Sequence, residues 1–260
     1  MPLALATAVL TLVAAGCTGS DSPTTPTAAP SNTSATGSTT DAAPPAVTES
    51  ASPSLPPGAR PGLDDYDGDG EPDPTCTTQD FGAGLVLRIP CQIGTANTPE
   101  NGTRLVKNSL YRLPGATDVD LTGISGGLLL ARDVAGAKVV IVVFNSDALF
   151  ETGSNAIGST DTLDATIRLI NSHYAGGAIQ VRGHTDATGS AAVNQPLSVR
   201  RAATVRDYLT GHGTRASSVS SVGLGSSQPF AEETNPDGSS SPDGQRFNRR
   251  VEIVIRLPAA

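Results

Sequence analysis

Asp186 and Arg201 stand about fifteen positions apart, on either side of what their neighbours mark as a strand-to-helix turn. The surrounding run is Val181-Arg182-Gly183-His184-Thr185-Asp186-Ala187-Thr188-Gly189, followed by Asn194, Leu197-Ser198 and Arg201-Ala202. A carboxylate and a guanidinium brought together by such a turn suit a ligand that carries both an ammonium and a carboxylate. An arginine grips a carboxylate through two parallel N–H···O bonds and fixes its orientation, where a lysine would act only as a point charge. Charge-assisted bonds of about 1.5–3 kcal/mol each describe weak, reversible binding. Many copies on one polymer would add avidity. Taken singly, Asp186 also reads as a turn or capping acid and Arg201 as a solvated helix face. Arg200 beside Arg201 leaves room for a one-residue exchange of roles.

Other chemistries find less support. His173, His184 and His212 lie in different elements, and none has a His or Cys at metal-ligand spacing. His184 reads as a packed or hydrogen-bonded core residue. No Ser–His–Asp or Cys–His set stands out, so no enzyme is expected and no cofactor is required. The net charge is -8 with no basic stripe, which excludes a nucleic-acid partner.

The elements that must position the pair are legible from about residue 138. Val139 to Phe144 is a continuous apolar run, as expected of a strand buried on both faces. Asp161 to Tyr174 carries Leu163, Ile167 and Ile170 at helical spacing. Ala178 to Arg182 predicts a strand, and Pro196 to Thr210 a helix with Pro196 near its first turn and Gly211 at its end. Ser218 to Leu224 predicts a third strand, and Arg250 to Leu257, which alternates as R-V-E-I-V-I-R-L, a fourth. The expected fold class is α/β, an α+β sandwich in β-α-β-α-β-β order whose mixed sheet carries helices. Ala231 to Phe247 reads as a long, flexible, polar loop beside the site.

Several blocks in this order resemble the C-terminal peptidoglycan-binding domain of outer-membrane protein A, the OmpA-like family. They are Phe144-Asn145-Ser146-Asp147-Ala148-Leu149-Phe150, Gly183-His184-Thr185-Asp186 with Gly189, and Asn194 with Leu197-Ser198 and Arg201-Ala202. Gly223-Leu224-Gly225 with Pro229, and Asn248-Arg249-Arg250-Val251-Glu252, complete the set. The resemblance covers residues 138–257. It implies a peptidoglycan stem peptide as partner, gripped at diaminopimelate, with Asp186 on the ammonium and Arg201 on the carboxylate. It places Asn145 in the pocket lining and offers Thr185, Asn194, Leu197 and Arg250 for the rim. Asn194 has the alternative of ordering its own turn.

The rest of the chain reads as delivery. Residues 1–17 hold a short apolar run that ends in small residues and Gly16-Cys17, like an export signal with a bacterial lipobox. Lipid on Cys17 would anchor the protein to a membrane of the cell envelope; the alternative is an ordinary cleaved signal. Residues 18–62 are Ser/Thr/Ala/Pro-rich and predict a disordered tether. Asp65, Asp67, Asp69, Glu71 and Asp73 are spaced like the oxygen ligands of a calcium loop, or else form a solvated acidic turn. Cys76 and Cys91 are the remaining pair, expected as a disulfide in an oxidising compartment. Residues 63–136 are expected to be a separate small β-rich module, with strands over Leu85–Ile89 and Thr103–Leu113. A hairpin is expected to follow, running from Leu128–Ala131 into Val139–Phe144. A rival reading makes the chain a calcium-dependent adhesion or structural envelope protein, in which this module, with calcium, binds an extracellular partner and the C-terminal domain only anchors it; an envelope protein is a further candidate partner for the module.

Overall fold

A computed structural model describes residues 74–91, 102–115, 120–151 and 153–258, all within one compact unit spanning 51–260. Cys17, the tether and the acidic loop from Asp65 to Asp73 lie outside the described residues.

The strands are β1 (Thr75–Asp80), β2 (Val86–Pro90), β3 (Gly126–Arg132), β4 (Lys138–Asn145), β5 (Ala178–His184), β6 (Ser218–Gly225) and β7 (Arg250–Arg256). The helices are α1 (Ser146–Leu149), α2 (Asp161–His173), α3 (Ala191–Gly211) and α4 (Pro242–Asn248). Strands β3-β4-β7-β5-β6 form one mixed sheet in that order; β5 and β6 run parallel, and the other pairs are antiparallel. The α/β fold is thus the one the sequence predicts.

Strand parity divides the core. Val140, Val142, Phe144, Val251, Ile253 and Ile255 face α2 and α3, where Leu163, Ile170, Val205 and Leu209 meet them. Val139, Ile141 and Val254 face the other way and need a second cover. That cover is the β1–β2 hairpin with the segment around Leu110 and Leu113; Phe81, Leu85, Leu87 and Ile89 bury their side chains there. The expected boundary near residue 137 therefore does not exist as a break. β3, from the supposed module, pairs with β4 along its whole length, and the β1–β2 hairpin with the Leu110–Leu113 segment forms a third layer on the sheet. A strand with two apolar faces requires a layer on each.

Cys76 and Cys91 are disulfide-bonded across the β1–β2 pair. Closing a loop with sequence separation 15 stabilises the fold by about 3 kcal/mol on the chain-entropy account. The expected strand over Thr103–Leu113 is instead irregular, with a 3-10 turn at Leu110–Arg112. Leu110 and Leu113 lie one such turn apart and both reach the core, which an extended strand could not arrange.

Between the hairpin and the sheet lies a buried ionic cluster. Glu252 is fully buried and accepts from Arg182 Nε at 2.9 Å and from Arg250 Nε at 2.8 Å. His184 Nε2 sits 3.2 Å from Glu252 Oε1, though not aligned for a hydrogen bond. Arg182 also donates to the carbonyls of Phe81 and Gly82, and Arg256 to that of Gly84. These side chains hold a turn in which Gly82, Ala83 and Gly84 all have positive φ. Ala83 at φ 51° is the strained member, at a cost of about 1–2 kcal/mol. Burial works against the Glu252 charge, but His184, Arg250 and Arg182 hold its carboxyl well below the ordinary value.

Burial pushes the His184 imidazole down to about 4, helped by the Arg250 charge and opposed by Glu252. The folded protein therefore keeps His184 neutral while the unfolded chain takes up a proton near pH 6.5. This group's contribution is complete above about pH 6.5, falls as the pH drops toward 4, and levels off below. The loss is roughly 3 kcal/mol. Urea unfolding measured from pH 7 to 4 should show the decline, with a shallower slope in His184→Asn. An unchanged slope in that variant would assign the decline to other groups.

Candidate functional site

At the end of the sheet where β4 and β5 finish and β7 begins, a cavity of about 360 Å³ opens. Its lining includes Asp147, Phe150, Thr185, Asp186, Asn194, Leu197, Arg201 and Arg249. Four of these are charged, two of each sign.

The β5–α3 connection delivers most of them. Thr185 N–H donates to Gly225 O at 2.9 Å, which extends β5 by one residue and leaves Asp186 at the turn. Asp186 Oδ1 accepts from Thr188 N at 2.9 Å, closing a tight local turn. Asn194 donates to the carbonyls of Asp186 and Thr188, at 3.1 and 3.0 Å, and so orders this turn while also lining the cavity. Helix α3 begins at Ala191, five residues before the expected start, and Pro196 lies inside it. Exposed Val193 hides that first turn from any apolar periodicity. α3 packs against β5 and β6 at two glycines. A Cβ on Gly183 would strike the carbonyl of Ser198, and one on Gly223 the amide of Val199. This close approach sets the depth at which Arg201 enters the cavity.

Arg201 is 4% exposed. Its Nε donates to Ser154 O at 2.9 Å, and its guanidinium lies 5.1 Å from the Phe150 ring centroid. Among the described residues its two terminal nitrogens carry no hydrogen-bond partner. Burial draws the guanidinium below its ordinary pKa; Asp147 opposes this, Arg249 adds to it and Asp186 opposes it. An arginine nevertheless remains a cation at neutral pH. The Thr185 hydroxyl, also buried, has no partner among the described residues. Donors left open in a concave, partly dry site are what an anionic ligand group would satisfy.

Arg249 and Asp147 are the members that sequence reasoning missed. Arg249 Nη1 bonds Asp186 Oδ2 at 2.7 Å, and its Nε and Nη2 grip Asp147 at 3.0 and 2.7 Å. The Asp147 bonds raise the Arg249 pKa most; burial opposes them and Asp186 adds to them. Arg250, chosen for the rim, does not line this cavity. It shares a face with Glu252, is buried in the ionic cluster and lies 5.6 Å from the Phe230 ring centroid. Asn145 likewise does not line the cavity, but its carboxamide caps α1 by accepting from Asp147 N at 2.8 Å.

The 231–247 connection is more ordered than expected of a flexible loop. It contains α4, with Ser241 as its cap. Both Glu233 oxygens accept from Ala187 N, at 2.9 and 3.0 Å, and Asn248 Nδ2 donates to Glu233 at 2.6 Å. Glu233 thus fastens this connection to the Asp186 turn. One acid of the Glu232-Glu233 pair in a polar run gives no sequence signal for that role.

Over 77 residues the chain is 43% identical to the peptidoglycan-binding protein ArfA of Mycobacterium tuberculosis, covering 30% of this chain and 22% of that protein. Over 126 residues it is 33% identical to the photosystem I P700 chlorophyll a apoprotein A2 of Gloeobacter violaceus, covering 48% of this chain and 14% of that protein. Among solved structures, the periplasmic domain of Helicobacter pylori MotB aligns at 25% identity and a TM-score of 0.44, covering 55% of this chain and 87% of that one. The chain spans less than a quarter of the length of the two curated relatives. The match to the OmpA family runs over residues 149–241, from the end of α1 to the loop before α4. The C-terminal part of this chain therefore carries an OmpA-family domain.

Proposed function

We propose that the cavity binds the stem peptide of peptidoglycan at a diaminopimelate end, and that the chain ties a membrane of the cell envelope to the wall. The observation that carries this reading is Arg201, buried in a cavity with its terminal nitrogens open, in a site that also presents Asp186. The side-chain end of diaminopimelate offers a carboxylate for Arg201 and an ammonium for Asp186, a few Å apart. The mycobacterial relative is named a peptidoglycan-binding protein, which supports the same ligand class. The membrane end of the tether is the lipid expected on Cys17. No step of bond-breaking is assigned to any residue, and the function is attachment.

The test is co-sedimentation of the full chain with purified peptidoglycan. The wild-type protein is expected in the pellet and to be released by free diaminopimelate. Asp186→Ala should stay in the supernatant with its fold intact by circular dichroism. Equal pelleting of the two proteins would remove Asp186 from the site, and no pelleting of the wild type would remove the function.

A further inference from the structure

We propose that Asp147 determines the specificity of this cavity for a ligand end bearing an ammonium as well as a carboxylate. The inference rests on the binding reading above and deepens it.

The four charged side chains of the cavity are not equally committed. Of the contacts that Arg249 makes with carboxylates, three go to Asp147: Nε to both oxygens at 3.0 Å and Nη2 to Oδ2 at 2.7 Å. Only Nη1 reaches Asp186. The Arg249 backbone is fixed independently, because its carbonyl accepts from Ser146 N at 2.8 Å. Asp147 follows Ser146 in α1, so the Asp147–Arg249 pair is built on a short, capped unit.

Asp186 has less to offer than its position suggests. Oδ1 accepts from Thr188 N, and Oδ2 from Arg249 Nη1. An ammonium arriving at Oδ2 must share it with a guanidinium or displace that guanidinium. Either is tolerable while Asp147 neutralises Arg249 and gives it somewhere to stay. Two aspartates and two arginines leave the cavity without net charge. Without the Asp147 charge, one carboxylate would face two guanidiniums. Arg249 would then fall back on Asp186, and the incoming ammonium would meet a net positive wall. The ligand carboxylate, bound at Arg201, would not be disfavoured. Asp147 therefore acts on one charge of the ligand and spares the other. Its side chain does not cap α1, a task that Asn145 performs, so its amide variant should keep the fold.

The test is calorimetric titration of the full chain with two synthetic stem peptides. One ends in diaminopimelate; the other carries 2-aminopimelate there, keeping the carboxylate and lacking the ammonium. Asp147→Asn should weaken the diaminopimelate peptide by about tenfold, the equivalent of about 1.4 kcal/mol. It should leave the 2-aminopimelate peptide unchanged or tighter, and Asp147→Glu should restore the preference. An equal loss on both peptides, or a loss on neither, would overturn the proposal while leaving the binding reading in place. Failure of the wild type to bind the diaminopimelate peptide would overturn both.

Discussion

Glu252→Ala is expected to lower the unfolding free energy by about 3–5 kcal/mol, a large part of what holds a domain of this size together. Glu252 is 0% exposed and is the shared anion of Arg182, Arg250 and His184. Its removal leaves two guanidiniums buried on one side of the sheet with no counter-charge. The β1–β2 turn covers Arg182, which holds its carbonyls, and would be loosened by the unpaired charge. The variant should therefore lose hairpin and sheet together in urea denaturation followed by circular dichroism. Glu252→Gln, which keeps the shape and loses the charge, should fall between it and the wild type. A loss under about 1 kcal/mol in the alanine variant would mean that the cluster is already hydrated.

Arg201→Ala is expected to weaken binding of a diaminopimelate stem peptide by at least about 30-fold, from the 2–5 kcal/mol typical of a truncated buried charge pair. Arg201→Lys should recover little. An ammonium cannot donate to a planar carboxylate in parallel, and its stem would leave the Ser154 carbonyl and the Phe150 ring without their partner. Both variants should keep the thermal midpoint within a few degrees, since Arg201 lies at the cavity wall rather than among the apolar residues of the sheet. Titration with the soluble peptide separates affinity from the avidity of a polymer. Wild-type affinity in both variants would place the carboxylate elsewhere.

What could be read from the sequence follows from how far apart the cooperating residues lie. Thr185, Asp186, Asn194, Leu197 and Arg201 belong to one strand–turn–helix, so local spacing brings them to one cavity. Arg249 and Asp147 come from separate elements, and nothing within seven or eight residues of either announces their pairing. Strand parity separates Arg250 from Arg249. In β7 the apolar Val251, Ile253 and Ile255 mark the helix side, which assigns Arg250 to the Glu252 side. That alternation keeps Arg250 out of the cavity rim. The third layer was hidden for a related reason. Leu85 to Ile89 showed its strand character, but only the two apolar faces of β4 and β7 reveal that the sheet needs it. Nothing in the hairpin's own residues names its partner.

The disulfide also decides how the domain carries load. Tension arriving along the chain from the N-terminal side meets Cys76 near the start of β1 and crosses to Cys91 through the covalent bridge. The intervening β1, β2 and the turn at Gly82 to Gly84 lie off that path. A pull at residue 74 cannot peel β1 from β2 one hydrogen bond at a time, because the bridge sits where peeling would begin. The hairpin stays seated on Arg182 and Arg256, and the sheet keeps its cover while the chain is under strain. In a tether between two surfaces, such a shunt would let the force pass without disturbing the buried charges behind it.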